Sequence, residues 1–175
     1  SRVKEDIVFP EFYHEYGEFD SLEFTQGQFF LDNAHYQRSD QIVCAIDGEV
    51  HVALVPHVYR QEMLPGTSTS YHHELKGHEM IVDLDVNESP INLFNPDFEK
   101  FPSAAQIEHF YKDVLAPGDC LFIPAFYFFQ LAGWAEVLPS QGNLRPSAIA
   151  VSLKYRAHSR LLMAFYDAIE DGVLA

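Results

Sequence analysis

The chain has 175 residues, of which 47% are hydrophobic and 14% aromatic, which is enough for one globular domain with a substantial core. Its 11 basic residues stand against 26 acidic ones, for a formal charge of −15. This balance argues against nucleic acid and anionic membranes as partners and favours a protein partner, a basic one on grounds of charge. No apolar run approaches the length of a membrane span.

The two cysteines, Cys44 and Cys120, both lie in apolar, strand-like runs. This placement predicts buried, reduced thiols rather than a disulfide. The N-terminal residues lack the apolar core of a signal peptide. We therefore expect an intracellular, reducing compartment, with the cytoplasm as first choice and the nucleus or an organelle also open.

The first elements in chain order are an arm and three strands. Residues 1–20 mix acids with aromatics and predict an irregular arm. Residues 22–31 follow a strand pattern in which Gly27 introduces a kink. The segment "QIVCAIDGEVHVALVP", residues 41–56, predicts a β-hairpin, because Asp47-Gly48 is a strong turn signal between two apolar runs.

The middle of the chain alternates loops with short strands. Residues 57–80 are rich in Gly, Ser and Thr and predict a loop. The segment "MIVDLDV", residues 80–86, and residues 108–115 predict short strands on either side of a proline-rich loop. A turn at 116–119 leads into the apolar run "CLFI", and residues 147–157 alternate in the manner of a strand.

The tail changes to helical spacing. Residues 158–175 predict a helix that follows an N-cap at Ser159. Its apolar face either packs on the domain's own sheet or forms a homo-oligomer; the face comprises Leu162, Phe165, Tyr166 and Ile169. The pattern predicts a mainly β fold, a sandwich or jelly roll over residues 21–157, with an arm before it and a C-terminal helix after it.

Three segments carry a family resemblance: "NAHYQRSDQIVCAIDGEVHVALVP" (33–56), "NPDFEKFPSA" (95–104) and "VLAPGDCLFIPAFYFF" (114–129). In this order and spacing they resemble the jumonji-C branch of the cupin superfamily, and within it the asparaginyl-hydroxylase type. The resemblance implies a double-stranded β-helix, two facing sheets with a metal site at one mouth. It also implies chemistry with iron(II), 2-oxoglutarate and oxygen, in which two histidines and a carboxylate hold the iron.

The metal positions of that family match His35, Gln37 and Phe129 here. His35 takes the place of the first histidine, Gln37 that of the carboxylate two residues later, and Phe129 that of the distal histidine. Glutamine is a neutral, weak ligand and phenylalanine cannot bind a metal. The resemblance therefore implies a degenerate site that retains one ligand of three.

The cosubstrate positions are altered as well. Val50 takes the place of the lysine that pairs with the far carboxylate of 2-oxoglutarate, and Asp32 that of a hydroxyl residue that assists the lysine. Ser152 matches a late polar position near the site. We expect Phe129 to point into the barrel and contact Val50, with His35 and Gln37 hydrogen-bonded at the rim.

A second candidate metal site lies in "YHHELKGHE", where His72, Glu74 and His78 have ligand-like spacing. His57 or His109 could complete it. The other interpretation is a polar loop with clustered histidines. The position of this segment between the predicted hairpin and the proline-rich loop favours the polar loop.

Three functions remain open from the sequence. The first is a catalytically inactive domain that binds protein or serves as a structural component of a larger protein or assembly, with no metal or cofactor. The second is an active iron(II)/2-oxoglutarate-dependent protein hydroxylase or demethylase with an atypical triad. The third is a cupin pocket for an apolar small molecule, lined by Val50, Phe128 and Phe129.

Overall fold

A computed structural model describes residues 17–66, 69–73, 80–84, 87–135 and 147–157, together with Ala168, which is helical. The described residues form twelve strands: Gly17–Gly27 (β1), Phe29–Leu31 (β2), Ala34–His35 (β3), Asp40–Asp47 (β4), Glu49–Val55 (β5), Thr69–His73 (β6), Met80–Leu84 (β7), Glu88–Ser89 (β8), Tyr111–Leu115 (β9), Cys120–Ile123 (β10), Phe128–Trp134 (β11) and Ala148–Ala157 (β12). The rest of the predicted C-terminal helix lies outside these residues.

The strands form two main antiparallel sheets and a small ribbon. One sheet has four strands in the order β1-β12-β4-β10. The other has the order β8-β3-β11-β5-β9, with β2 also paired to β11, and β6 pairs with β7 in the ribbon. This arrangement confirms the predicted mainly β jelly roll. No helix within the described ranges has both the length and the apolar composition of a membrane span.

The core lies between the two main sheets and continues behind the second. The inner cluster takes one face of each strand: Val43 and Ala45 of β4, Val50 and Val52 of β5, Phe129 and Leu131 of β11. The opposite faces of β5 and β11 contribute to another cluster with Ala53, Val55 and Phe128. Both strands are thus buried on two sides, which explains why their sequences are apolar at nearly every position.

The predicted hairpin over residues 41–56 is wrong, because β4 and β5 belong to different sheets. β4 pairs with β12 and β10, and β5 with β11 and β9. Gly48 has a φ of 67°, and a Cβ there would lie 2.9 Å from the Ala148 Cα. The chain does turn at Asp47-Gly48, but the turn connects a strand of one sheet to a strand of the facing sheet. Alternation of apolar and polar residues alone does not distinguish such a connection from a β-hairpin.

The predicted loop over residues 57–80 contains regular structure. A 3-10 turn at His57–Tyr59 leads into a short helix, Arg60–Met63 (α1), whose Met63 is fully buried in the core, and β6 follows. The strands predicted within 80–86, 108–115 and 147–157 are confirmed as β7, β9 and β12. β1 begins at Gly17, inside the segment assigned to the arm.

The expectation of buried, reduced thiols is wrong in this structure. Cys44 and Cys120 are directly opposite one another on β4 and β10 and form a disulfide, with their Cα atoms 4.1 Å apart. Because Val43 and Ala45 face the core, Cys44 between them faces outward and is half-buried, and Cys120 is exposed. The cysteines therefore give no support to the expectation of a reducing compartment.

Candidate functional site

The predicted site positions meet at a pocket of about 210 Å³ between the two main sheets. Strands from both sheets supply its walls, as expected for the mouth of a jelly roll. Nine of the eleven lining residues are polar; the lining comprises Glu23, Thr25, Asp32, Asn33, His35, Gln37, Gln41, Glu88, Phe129, Leu131 and Ser152. Five of the six positions singled out from the sequence are in this set.

Strand pairing brings His35 and Phe129 together. The short strand β3 pairs with β11 so that the two residues are direct partners. Their ring centroids are 4.3 Å apart, and the ring planes are tilted by 54°. Phe129 is only 2% exposed and belongs to the inner core cluster. The prediction that Phe129 points into the barrel is confirmed.

The hydrogen bonds of His35 use both of its ring nitrogens. Its Nδ1 lies 2.8 Å from the carbonyl oxygen of Asn33, which can only accept, so Nδ1 carries the proton. The other nitrogen, Nε2, then accepts from the amide Nε2 of Gln37 at 3.3 Å. The lone pair that a metal would need is therefore engaged by Gln37. The expectation that these two residues are hydrogen-bonded is confirmed.

These residues do not fit the iron and 2-oxoglutarate that the fold family implies. Of the three positions, His35 alone offers a good ligand, and its Nε2 accepts from a neighbouring amide. The described part of the chain contains no group of three or more His, Cys, Asp or Glu side chains arranged to hold a metal ion. The carboxylates of Glu23, Asp32 and Glu88 in the lining would also repel a dicarboxylate.

Val50 lies apart from the other site positions. It is fully buried, pairs with Gly133 on β11, and is not among the residues that line the pocket. Phe129 pairs with Leu54, four positions along the same strand pair. Val50 and Phe129 share the inner core cluster, so the residue that matches the cosubstrate position is part of the core.

Asp32 carries the clearest electrostatic perturbation in the pocket. Burial raises the pKa of this carboxyl above its usual value; His35 and Lys154 act in the opposite direction, and Glu23 adds to the increase. Lys154 is engaged elsewhere, since its Nζ lies 2.7 Å from a carboxylate oxygen of Glu23. Asp32 is thus a partly desolvated carboxylate, and repulsion from Glu23 raises its pKa further.

Gln130 holds the backbone next to the pocket. Its side chain is 3% exposed and donates from Nε2 to the carbonyl oxygen of Asp32 at 2.8 Å. Its Oε1 accepts from the backbone N–H of Leu93 at 2.6 Å. One buried amide therefore ties the strand that carries the site to the loop behind the sheet, and it fixes the position of Asp32.

We expect Gln130→Leu to lower the free energy of unfolding by about 1–3 kcal/mol, because the buried N–H of Leu93 would lose its acceptor and the Asp32 carbonyl a donor. Urea unfolding followed by circular dichroism measures this change. Gln106→Leu, at an exposed position, is the matched control and should shift stability by about 0.5 kcal/mol or less. Equal effects of the two substitutions would contradict the positioning role of Gln130.

Sequence reasoning missed several lining residues. Gln41 is the clearest case, because it has the same strand parity as the core residues Val43 and Ala45, and an inward polar residue at the end of an apolar strand is a usable signal. Glu88 gave no such signal. It reaches the pocket because β8 pairs with β3, a contact between segments about fifty residues apart in sequence.

The second candidate metal site remains a prediction. Glu74 and His78 lie outside the described residues, and His72 is described only as a backbone position of β6, paired with Ile81. The two histidines considered as additional ligands have other contacts. His57 Nδ1 lies 3.2 Å from the carbonyl oxygen of Phe126, and the ring of His109 lies 6.1 Å from that of Tyr59.

Two facing antiparallel sheets around one core, with a polar pocket at their mouth, define a protein of the cupin type. Residues 27–160 match the family model described as a cupin-like domain. This match covers most of the sequence, and the chain belongs to the cupin-like domain family.

Two curated relatives are both named tRNA wybutosine-synthesizing protein 5. The protein from Gallus gallus is 30% identical over 137 residues, which is 72% of this chain and 34% of the relative. The protein from Homo sapiens is 28% identical over 127 residues, again 72% of this chain and 34% of the relative. The chain therefore spans about a third of the length of these relatives.

Solved structures with a similar fold are more distant. Escherichia coli ycfD is 16% identical, with a TM-score of 0.40, over 90% of this chain and 31% of that one. A dTDP sugar isomerase from Desulfovibrio desulfuricans G20 is 11% identical, with a TM-score of 0.44, over 88% of this chain and 68% of that one. We draw no functional conclusion from these similarities.

Proposed function

We propose that this chain is a catalytically inactive cupin-like domain, derived from an oxygenase of the jumonji-C, asparaginyl-hydroxylase type, and that it acts as a protein-binding or structural component. The observation that carries the proposal is the engagement of His35. Its Nε2 accepts from Gln37 and its ring packs against Phe129, at the positions where the family has a carboxylate and a second histidine. Two ligands are absent and the third is satisfied without metal.

A role in protein contact is supported by charge and by exposed apolar side chains. The chain carries a formal charge of −15, which favours a basic partner. Several large apolar side chains are exposed, among them Phe29 at 64%, Phe122 at 55% and Ile46 at 54%. Aromatic side chains of this kind are typical of interface cores. We further propose that this domain works within a larger protein or assembly.

A second candidate function follows from the sequence relatives. Their name associates them with tRNA wybutosine synthesis. An active iron(II)/2-oxoglutarate enzyme, or a component of tRNA modification, is thus the alternative. The strongly acidic composition argues against direct tRNA contact by this domain, and the polar pocket does not favour the third candidate, an apolar ligand.

Iron loading separates the first two functions. We expect the purified protein, incubated anaerobically with iron(II) and then desalted, to retain far less than one equivalent of iron by elemental analysis. We also expect no succinate above the protein-free level when 2-oxoglutarate, ascorbate and oxygen are added. Stoichiometric iron that is lost in His35→Ala, or succinate formation that depends on His35, would contradict the proposal.

A further inference from the structure

The pocket at the sheet mouth retains a distinct chemical character even though its residues do not fit iron. It has a volume of about 210 Å³, and nine of its eleven lining residues are polar. Three of them are carboxylates, Glu23, Asp32 and Glu88, and none of the lining residues in the described part of the chain is a lysine or arginine. Such a lining repels anions and attracts cations.

Two buried acceptors in the pocket wall lack a hydrogen-bond donor. Gln41 is 2% exposed, and its Oε1 has no hydrogen-bond partner among the described residues. Gln37 donates to His35 through its Nε2, and its Oε1 is likewise buried without a partner. Buried acceptors are nearly always satisfied in folded proteins, so each of these oxygens points to a donor that completes the site.

The charge of Asp32 is only partly balanced, by His35 and Lys154. Burial raises its pKa, and Lys154, which acts in the opposite direction, forms its ion pair with Glu23 at 2.7 Å. The hydrogen bond that Gln130 donates goes to the backbone oxygen of Asp32 and leaves the carboxylate itself available. A cation placed beside Asp32 would recover electrostatic energy that burial costs.

We propose that this pocket binds a compact organic cation, specifically a guanidinium group. A guanidinium offers five N–H donors in a plane, which suits a site with a carboxylate and two amide oxygens, whereas a metal ion would need a tighter set of ligands. Phe129 lies in the same wall, where its ring packs against that of His35. The group comes either from a free small molecule or from an arginine side chain of a bound protein. The inference rests on the proposed function, because it requires that iron does not occupy this mouth.

Isothermal titration of the full chain at neutral pH tests the inference with four probes. Nα-acetyl-arginine N-methylamide represents an arginine side chain in a polypeptide, and agmatine represents a free organic cation. Nα-acetyl-citrulline N-methylamide has the same shape as the first probe without its charge, and 2-oxoglutarate is the anionic probe. We expect saturable binding of at least one cationic probe, at least about tenfold weaker binding of the citrulline compound, and no binding of 2-oxoglutarate.

Two variants locate the binding. Asp32→Asn should weaken binding of the cation at least about tenfold, since it removes the charge and keeps the shape. Asp113→Asn, the same change at an exposed position of β9, should leave the affinity unchanged. Circular dichroism of both variants verifies that they are folded, and amide chemical shifts of residues 32–41 and 129–131 report the bound position independently of the variants.

Each outcome has a defined consequence. Binding of agmatine as tight as that of the arginine compound assigns the pocket to small organic cations, and binding of the arginine compound alone assigns it to a protein side chain. Absence of saturable binding, equal affinity for citrulline, or an unchanged affinity in Asp32→Asn overturns the inference. If iron loading is also negative, that result leaves the proposed function intact; stoichiometric iron with turnover overturns both.

Discussion

Removal of the Cys44–Cys120 disulfide should lower the free energy of unfolding by about 2–4 kcal/mol. The bond joins residues 76 positions apart, so it closes a long loop in the unfolded chain and reduces the entropy of that state. It also ties β10, which stands at the end of its sheet, to the interior strand β4. We expect urea unfolding midpoints to decrease by the same amount in the double variant Cys44→Ser/Cys120→Ser and in the wild-type protein with dithiothreitol.

The double variant provides the control for the reductant. Dithiothreitol should have no effect on it, because the described structure places both cysteines of the chain in this one bond. Thiol titration of the unfolded wild-type protein should find no reactive thiol before reduction and two afterwards. Two reactive thiols in protein purified without reductant, or unchanged midpoints after reduction, would show that the bond does not form.

The disulfide illustrates what the sequence could and could not reveal. Each cysteine lies in an apolar run, which suggests burial, yet parity relative to Val43 and Ala45 shows that Cys44 faces away from the core. That parity was readable from the sequence. The pairing of β4 with β10 was not, because it joins segments distant in the chain and depends on the closure of the whole sheet.

The turn at Asp47-Gly48 likewise shows that local sequence predicts a turn but not which strands pair. The dipeptide correctly marked a reversal, and the runs on either side correctly marked strands. β4 and β5 could pair with each other or lie in facing sheets. They lie in facing sheets because β12 pairs with β4 and β11 pairs with β5, and both of these partners are far away in sequence. Local patterns therefore predicted most of the strands, whereas the assignment of strands to sheets required the fold.

Five of the six site positions named from the sequence line one pocket in the structure. His35 and Phe129 converge because β3 pairs with β11, and Gln37 follows β3 by two residues. Val50 is the exception, since it stands in the core beside Gly133 rather than in the pocket wall. Other polar residues of the pocket, such as Glu88, could not be predicted, because they reach it through strand pairings that no local motif indicates.

Phe129→Ala should be the most costly single truncation at the site, lowering the free energy of unfolding by about 3–5 kcal/mol. The ring is 2% exposed, belongs to the inner core cluster, and lies 4.3 Å from the ring of His35. Its removal would open a cavity between the two sheets. Phe122→Ala makes the same truncation at a side chain that is 55% exposed on β10, and it should cost about 1 kcal/mol or less. Equal costs in urea unfolding would show that Phe129 does not fill the site.

The same position also tests the proposal that the site lacks oxygenase chemistry. Phe129→His combined with Gln37→Asp would place two histidines and a carboxylate at the three positions, and we expect this double variant to retain more iron(II) than the wild-type protein, although weakly. Stability should fall, because a polar imidazole replaces a buried ring and an anion replaces a neutral amide at the rim. Succinate should still not form from 2-oxoglutarate, because Val50 supplies no cation for the cosubstrate and Asp32 repels it. Turnover in the double variant would mean that the residues at the metal-ligand positions alone prevent catalysis in the wild-type protein. Failure to retain iron would mean that the backbone does not place the three side chains close enough together to bind one metal ion.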